Sequence, residues 1–263
     1  MEIALDRFTG FSKLYDEVRP KPPKTITELA LALSLQDKFE LVLDLGSGTG
    51  LSSTIWENFS SKVIGLEPNE EMRNISIKNY KNIKFIDGNS YSIPLEKESC
   101  DIICCSQSFH WMEPESTLKE VNRILKKGGL FIVYDCDWPV TIHPEAELAY
   151  FRLFSKINEL HDLNSKILPI EKKWSKNNHY NNIFSSGYFS YVRNLHIHNE
   201  EECDSERFIG IALSQGHLQT LLKNRVSGLS NELINFENVV RNSILKEQKM
   251  WISYDVIIGK KLS

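Results

Sequence analysis

Apolar residues fall into two regimes along this chain. Between residues 39 and 135 they come as short continuous runs separated by amphipathic stretches. Leu41-Val42-Leu43, Val63-Ile64-Gly65-Leu66, Ile83-Lys84-Phe85-Ile86, Ile102-Ile103-Cys104-Cys105 and Leu130-Phe131-Ile132-Val133 are five such runs. Strands buried on both faces have this signature. The stretches between them carry helical spacing. Leu51 and Ile55 open one helix, Asn69 caps another running through Met72, Ile75 and Tyr80, and a third starts near Pro114 with Leu118, Val121 and Leu125 on one face. This alternation predicts a parallel sheet with right-handed crossovers.

Outside that region the pattern changes. Residues 1–38 read as a helical lead-in broken at Pro22-Pro23, where Thr25-x-x-Glu28 resembles a capping box ahead of Ile26, Leu29 and Leu33. After Asp137, a helix over 145–160 places Leu148, Phe151, Phe154 and Ile157 at three-residue spacing, and 171–186 is polar and loop-like. Tyr188–Ile197 alternates as a strand. Helices follow near 204–223 and 230–248, the latter with Leu233, Val240 and Ile244 on one side, and Trp251–Ile258 closes as a strand. The fold class expected is α/β, a doubly wound seven-stranded mixed sheet with its last two strands antiparallel at one edge, and the late helices acting as a lid.

The chain's 263 residues suit one large domain, or one domain with a substantial insertion. A net charge of −4 argues against a nucleic-acid partner, since the pairs Lys126-Lys127 and Lys172-Lys173 are too short to form a basic stripe. No apolar run reaches the length of a membrane span, and Met1-Glu2-Ile3-Ala4 lacks a signal-peptide core, so no membrane and a cytoplasmic location are expected. Five cysteines without a Cys-x-x-Cys pair read as reduced, buried small hydrophobes.

The strongest local signal is Asp44-Leu45-Gly46-Ser47-Gly48-Thr49-Gly50, between the first strand and its helix. Glycines serve where the chain turns sharply and where backbone must approach a ligand. A helix N-terminus beyond them would add free amides and a positive dipole end. Gly-x-Gly-x-Gly differs from the Gly-x-Gly-x-x-Gly of dinucleotide sites. Glu67 follows the second run, where a carboxylate can accept both hydroxyls of a ribose, and Asp87-Gly88 ends the third.

These motifs, followed by Leu125-Lys126-Lys127-Gly128-Gly129, resemble the ordered motifs of class I S-adenosylmethionine (SAM) dependent methyltransferases. Within that superfamily the chain is similar to the trans-aconitate methyltransferase-like and ubiquinone/menaquinone methyltransferase-like branch (methyltransferase type 11). Ser106-Gln107-Ser108-Phe109-His110-Trp111 and Tyr15-Asp16-Glu17-Val18-Arg19-Pro20 support the similarity, which covers about residues 11–135. The resemblance implies SAM as cofactor. Gly46, Ser47, Gly48 and Gly50 would line its methionine moiety with Asp44 near the amino group. Glu67 would hold the ribose, Pro68 and Met72 would flank the adenine, and Asp87 and the Gly88 amide would meet the ring. Ser106 would lie near the sulfonium, with Tyr15 and Arg19 closing over the cofactor and Arg19 reaching its carboxylate. Gly88 departs from the family, which more often has a side chain there. The domains expected are 1–38 as a helical lid and 39–263 as the SAM-binding domain, with lid insertions at about 138–186 and 199–250.

On the acceptor side, His110 lies past the fourth strand, next to the expected methyl group. It would act as a general base toward a hydroxyl or amine, or only position a carboxylate. Trp111 and Gln215 are candidates for the acceptor pocket, and Phe109, Trp111 and Tyr15 for steadying a cation. His196 and His198 share one strand face, but two ligands without a third do not make a metal centre, and none is expected. The expected function is methyl transfer to a small molecule, favouring O-methylation of a carboxylate or hydroxyl, by a monomer or homodimer. The rivals are a SAM-binding regulator without catalysis and an NAD-dependent oxidoreductase.

Overall fold

The computed structural model describes residues 10–168 and 172–262. The described strands are β1 (Phe39–Leu45), β2 (Ser60–Leu66), β3 (Lys84–Ile86), β4 (Cys100–Ser106), β5 (Leu125–Cys136), β6 (Phe189–Cys203) and β7 (Gln248–Lys261). The described helices are α1 (Ser12–Val18), α2 (Thr25–Ser34), α3 (Glu70–Asn79), α4 (Pro114–Ile124), α5 (Pro144–Leu163), α6 (His179–Ser185), α7 (Ser205–Leu213), α8 (Gly216–Lys223) and α9 (Ser230–Ser243).

The chain separates into two compact units. One holds 21–136, 172–197 and 254–263; the other holds the described residues within 1–20, 137–171 and 198–253.

One sheet of seven strands runs in the order β3-β2-β1-β4-β5-β7-β6, as the sequence pattern predicts. β1 to β5 pair in parallel, with Val42 beside both Val63 and Ile102. β7 is antiparallel to β5, with Ile132 opposite Ile258, and β6 is antiparallel to β7. The order reverses between β1 and β4, and a doubly wound sheet opens its ligand crevice at the carboxyl ends of strands flanking such a reversal. One face buries Leu43, Leu45, Ile103, Phe131 and Val133 with Leu118 and Val121 of α4 and Ile183 of α6. Fully burying a side chain of this size contributes about 1.5–3 kcal/mol. At the opposite end from the crevice, buried Asp101 accepts from the Glu40 and Leu41 amides at 2.8 and 2.9 Å and pairs with Lys126 at 2.9 Å.

Four local expectations are corrected. The helix expected from Leu51 is a 3-10 turn, Ser53–Phe59, because Ser52 and Ser53 both turn their hydroxyls back onto Asp44 and hold the chain tight. The capping box at Thr25 does not form: Lys24 is the N-cap, its side chain gives no cap bond, and Thr25 is the first helical residue. In α5 the buried face is Ala146, Ala149, Tyr150, Leu153, Ile157 and Leu160, whereas Leu148 and Phe151 are exposed. A strict three-residue spacing drifts around a helix of 3.6 residues per turn, so it does not mark one face. Finally, the described part of 171–186 is not all loop: a 3-10 turn, Lys176–Asn178, leads into α6, which buries His179 and Ile183.

All five cysteines are free and buried, as the sequence implies. Burial pushes the Cys100 and Cys203 thiols up to about 12, and Cys104 and Cys105 well above the ordinary thiol range.

Candidate active site at the crevice

The glycine loop begins where β1 ends. Gly46, Gly48 and Gly50 have φ of 69°, 56° and 93°, a left-handed region that residues with a Cβ adopt only at a cost. Space forbids a side chain as well. A Cβ on Gly46 would stand 2.7 Å from Ser108 Cβ, and one on Gly50 would stand 2.7 Å from the Tyr80 ring. The first contact joins the ends of β1 and β4 across the reversal of strand order. A Cβ on Gly48 would meet only the Met72 methyl, at 3.4 Å. The loop hydroxyls of Ser47 and Thr49 are buried and lack a hydrogen-bond partner, which fits a loop built to meet a polar ligand.

Glu67 follows β2 and is buried. Its two oxygens accept separately, Oε2 from the Gly48 amide and Oε1 from the Asn69 amide, each at 2.8 Å. The carboxylate is thereby fixed against the loop, and each oxygen keeps a lone pair for a hydroxyl donor. Burial raises its pKa from 4.5 to about 7 against the pull of those two amides. Asn69 caps α3 as predicted, accepting from the Met72 amide at 2.9 Å, and Pro68 lies between Glu67 and this cap. Asp87 is mostly exposed and pairs with Arg73 at 3.1 Å, while Arg73 also donates to the Glu67 carbonyl.

Asp44 is fully buried. It accepts from Ser52 and Ser53 hydroxyls at 2.6 and 2.7 Å and from the Cys104 thiol at 3.6 Å. Burial raises its pKa, with the serine bonds opposing. In the structure, therefore, Asp44 ties the loop to the 3-10 turn and to β4.

Beyond Ser106 the chain kinks at Gln107, a non-glycine residue with φ of 49°, and Ser108 donates to the Leu45 carbonyl at 2.6 Å. Backbone strain of this kind concentrates at functional sites. The kink leads into the 3-10 turn Phe109–Trp111, which buries His110. His110 Nδ1 stands 3.6 Å from Asp135 Oδ1 at the end of β5, too far for a hydrogen bond but close enough for charge to act. Lys176 Nζ lies 2.7 Å from the same oxygen, and His179 Nε2 lies 3.8 Å from Asp135 Oδ2. Burial lowers His110 to about 4, outweighing Asp135, and it also lowers His179. Burial pushes Asp135 up, but His110 and Lys176 beside it hold the carboxyl well below its usual range. The resting group is thus two neutral imidazoles, a carboxylate and an ammonium. Trp111 lies beside His110 (ring centroids 5.0 Å apart) and under Lys173 Nζ at 4.6 Å.

Tyr15, Arg19 and Gln215 belong to the other unit, where the structure brings them together. The Arg19 guanidinium sits over Tyr15 and Trp138 at 4.7 and 4.6 Å, and donates to Ser214 Oγ, the Ser214 carbonyl and Gln215 Oε1. On the edge strand, His196 pairs with Asp255 at 2.7 Å and His198 meets Ser253 Oγ at 3.1 Å. Sequence reasoning missed Asp135, Lys176 and His179. Asp135 had a signal, as an acid at the end of an apolar run like Glu67 and Asp87; the other two lie in a stretch too short for periodicity.

Residues 43–133 match the model of a methyltransferase domain family. A methyltransferase-like protein of Schizosaccharomyces pombe without assigned function is 34% identical over 129 residues, 49% of this chain and 50% of that protein. A ubiquinone/menaquinone biosynthesis C-methyltransferase of Campylobacter jejuni is 30% identical over 112 residues, 39% of this chain and 48% of its own. The chain thus spans about half the length of these relatives. A protein of Anaeromyxobacter dehalogenans, provisionally described as a type II methyltransferase, shares the fold. Its TM-score is 0.68 at 18% identity, over 93% of this chain and 98% of the other. The matched segment 43–133, which contains the glycine loop, Glu67 and His110, is thus similar to a methyltransferase domain.

Proposed function

We propose that this protein binds SAM at the carboxyl ends of β1, β2 and β4 and transfers its methyl group to an oxygen of a small-molecule acceptor, a carboxylate or hydroxyl. The observation that carries the reading is Glu67, a buried carboxylate locked by the Gly48 and Asn69 amides beside three left-handed glycines. Within the site, Glu67 accepts the two ribose hydroxyls. The loop from Gly46 to Gly50, with Ser47, faces the methionine moiety, and Asp44 holds that loop in shape from behind. Pro68 and Met72 flank the adenine, Asp87 and the Gly88 amide meet its edge, and Ser106 contributes backbone near the sulfur.

SAM supplies a methyl group on a positively charged sulfur, so the protein's task is to hold an acceptor in line with it at short range. Positioning of this kind supplies about 7–11 kcal/mol of a barrier. His110 orients the acceptor, and its neutral ring takes the proton when that acceptor is a hydroxyl; Trp111 lies beside it. Asp135 steadies His110. An overall charge of −4 and the absence of a basic stripe favour a small acceptor over nucleic acid. Calorimetry with SAM, then a panel of organic acids and hydroxyl compounds screened for release of S-adenosylhomocysteine, tests the reading. Failure to bind SAM overturns it; binding without turnover on any acceptor favours a regulator.

A further inference from the structure

The cluster at the ends of β4 and β5 has a second reading, an alternative to the base role of His110. His110, Asp135 and His179 each offer one donor atom, and these atoms all lie within 4.8 Å of one another. His110 Nδ1 stands 3.6 Å from Asp135 Oδ1, and His179 Nε2 stands 3.8 Å from the other oxygen, Oδ2. A tetrahedral ion with bonds of about 2.0–2.2 Å holds its ligands about 3.4 Å apart. Turning the two imidazoles and the Asp135 carboxylate, which closes separations of at most 4.8 Å, brings all three atoms onto one centre. Asp135 is fixed on a central strand, and the rings come from two short helical turns on either side of it in sequence.

Hydrogen-bond accounting points the same way. His179 is 1% exposed, yet neither of its ring nitrogens has a protein partner, nor does His110 Nδ1. Buried nitrogens are nearly always paired, and an orphan inside a group of ligand-type side chains calls for a bound species. The exposed pair His196 and His198, by contrast, already has oxygen partners.

We propose that His110, Asp135 and His179 bind one divalent first-row transition ion, with two imidazoles and a carboxylate as ligands and the remaining positions left to water or an acceptor oxygen. This donor set suits zinc, cobalt, nickel or iron better than magnesium or calcium, which take oxygen ligands. Lys176 is the competitor. Its ammonium neutralises Asp135 in the structure, but its side chain is 40% exposed and can withdraw to solvent when an ion arrives. Lys173, seated over Trp111, adds a second nearby cation that weakens the site. An ion on His110 Nδ1 leaves the ring's proton on Nε2, so a loaded site and a base at His110 exclude each other.

The test uses the full chain, stripped with a chelator and titrated with Co2+ and with Zn2+, read by calorimetry and by visible absorption for cobalt. One ion per chain is expected, with no cobalt–thiolate bands. His179→Gln and Asp135→Asn should each lower affinity about tenfold or more. Lys176→Met should raise it severalfold, and His196→Ala should leave the stoichiometry unchanged. The proposal is overturned by absence of binding, by an ion that survives both ligand variants, or by thiolate bands that place the ion on cysteine. If a ligand variant does not fold, Lys176→Met decides the matter, since unchanged or weaker affinity in that variant also overturns the site. None of these outcomes depends on SAM, so the site can fail while the methyltransferase reading stands.

Discussion

Glu67→Gln separates the cofactor role of this carboxylate from its structural one. The wild-type side chain accepts two buried amides, and hydrogen bonds to a charged group are worth about 1.5–3 kcal/mol each. Glutamine keeps one acceptor oxygen and turns an NH2 toward the other amide, so the substitution loses one such bond. Against this, burial makes the charged form costly: the gap between 4.5 and about 7 is worth about 3 kcal/mol above neutral pH. That gap is already net of the two amide bonds, so above neutral pH the uncharged glutamine should leave the apoprotein no less stable than wild type, and more stable by up to about 3 kcal/mol. The complex loses instead, because an amide cannot accept two ribose hydroxyls. SAM affinity should fall by about 1.5–3 kcal/mol, roughly 10- to 150-fold.

The same group sets a pH dependence. The folded carboxyl holds its proton more tightly than the unfolded chain between pH 4.5 and about 7, so apoprotein stability rises as pH falls through that window. Cofactor binding needs the ionised form, so affinity moves the other way. Between pH 8 and pH 6 the wild-type dissociation constant should rise about tenfold, and that of Glu67→Gln should not follow it. Calorimetric titration at pH 6, 7 and 8 on both proteins checks this. Equal affinities in the two, or parallel pH profiles, would refute the ribose assignment.

Three further outcomes follow. Gly46→Ala places a Cβ 2.7 Å from Ser108 in a left-handed conformation; it should cost about 2–4 kcal/mol in a urea melt and weaken SAM binding. His110→Ala should lower turnover about 100-fold on an established hydroxyl acceptor while leaving SAM affinity within about twofold, and full activity would remove His110 from the chemistry. In α5, Leu153→Ala should destabilise by about 2–5 kcal/mol and Phe151→Ala by less than about 0.5; the reverse order would restore the three-residue face.

The sheet was legible because its evidence is redundant. Five apolar runs, each closely followed by turn or acidic residues, leave little choice once helices separate them, and Asn69 announced its helix through a side chain well suited to an N-cap. The glycine loop was legible for a similar reason, since three glycines two apart mark a backbone that other residues adopt only at a cost. What failed was local and depended on tertiary partners. Leu51 and Ile55 have helical spacing, yet Asp44, at the end of the preceding strand, recruits Ser52 and Ser53 and tightens the turn. His179 sits in an Asn-rich stretch whose buried positions are just two, His179 and Ile183, too few to register as a period. Lys176 reads as a solvated lysine until Asp135 is placed beside it. Spacing along a chain reports neighbours on the same element, whereas these contacts join different elements, eight and nine residues apart at Asp44 and farther at Asp135.

The buried thiols make the protein its own unfolding clock. An exposed cysteine's thiolate is the nucleophile that attacks a thiol-specific reagent, so each of the five reacts only while its surroundings are open. Cys100, Cys104, Cys105 and Cys136 lie in the unit that contains the glycine loop, and Cys203 lies in the other. Labelling rates resolved by mass spectrometry therefore time the opening of each unit separately, with no engineered probe. A ligand that binds only the closed form slows labelling by the factor 1 + [L]/Kd, where [L] is its free concentration. SAM should protect the first four thiols by that factor, and the rate at Cys203 then tells whether the second unit opens with the first or on its own.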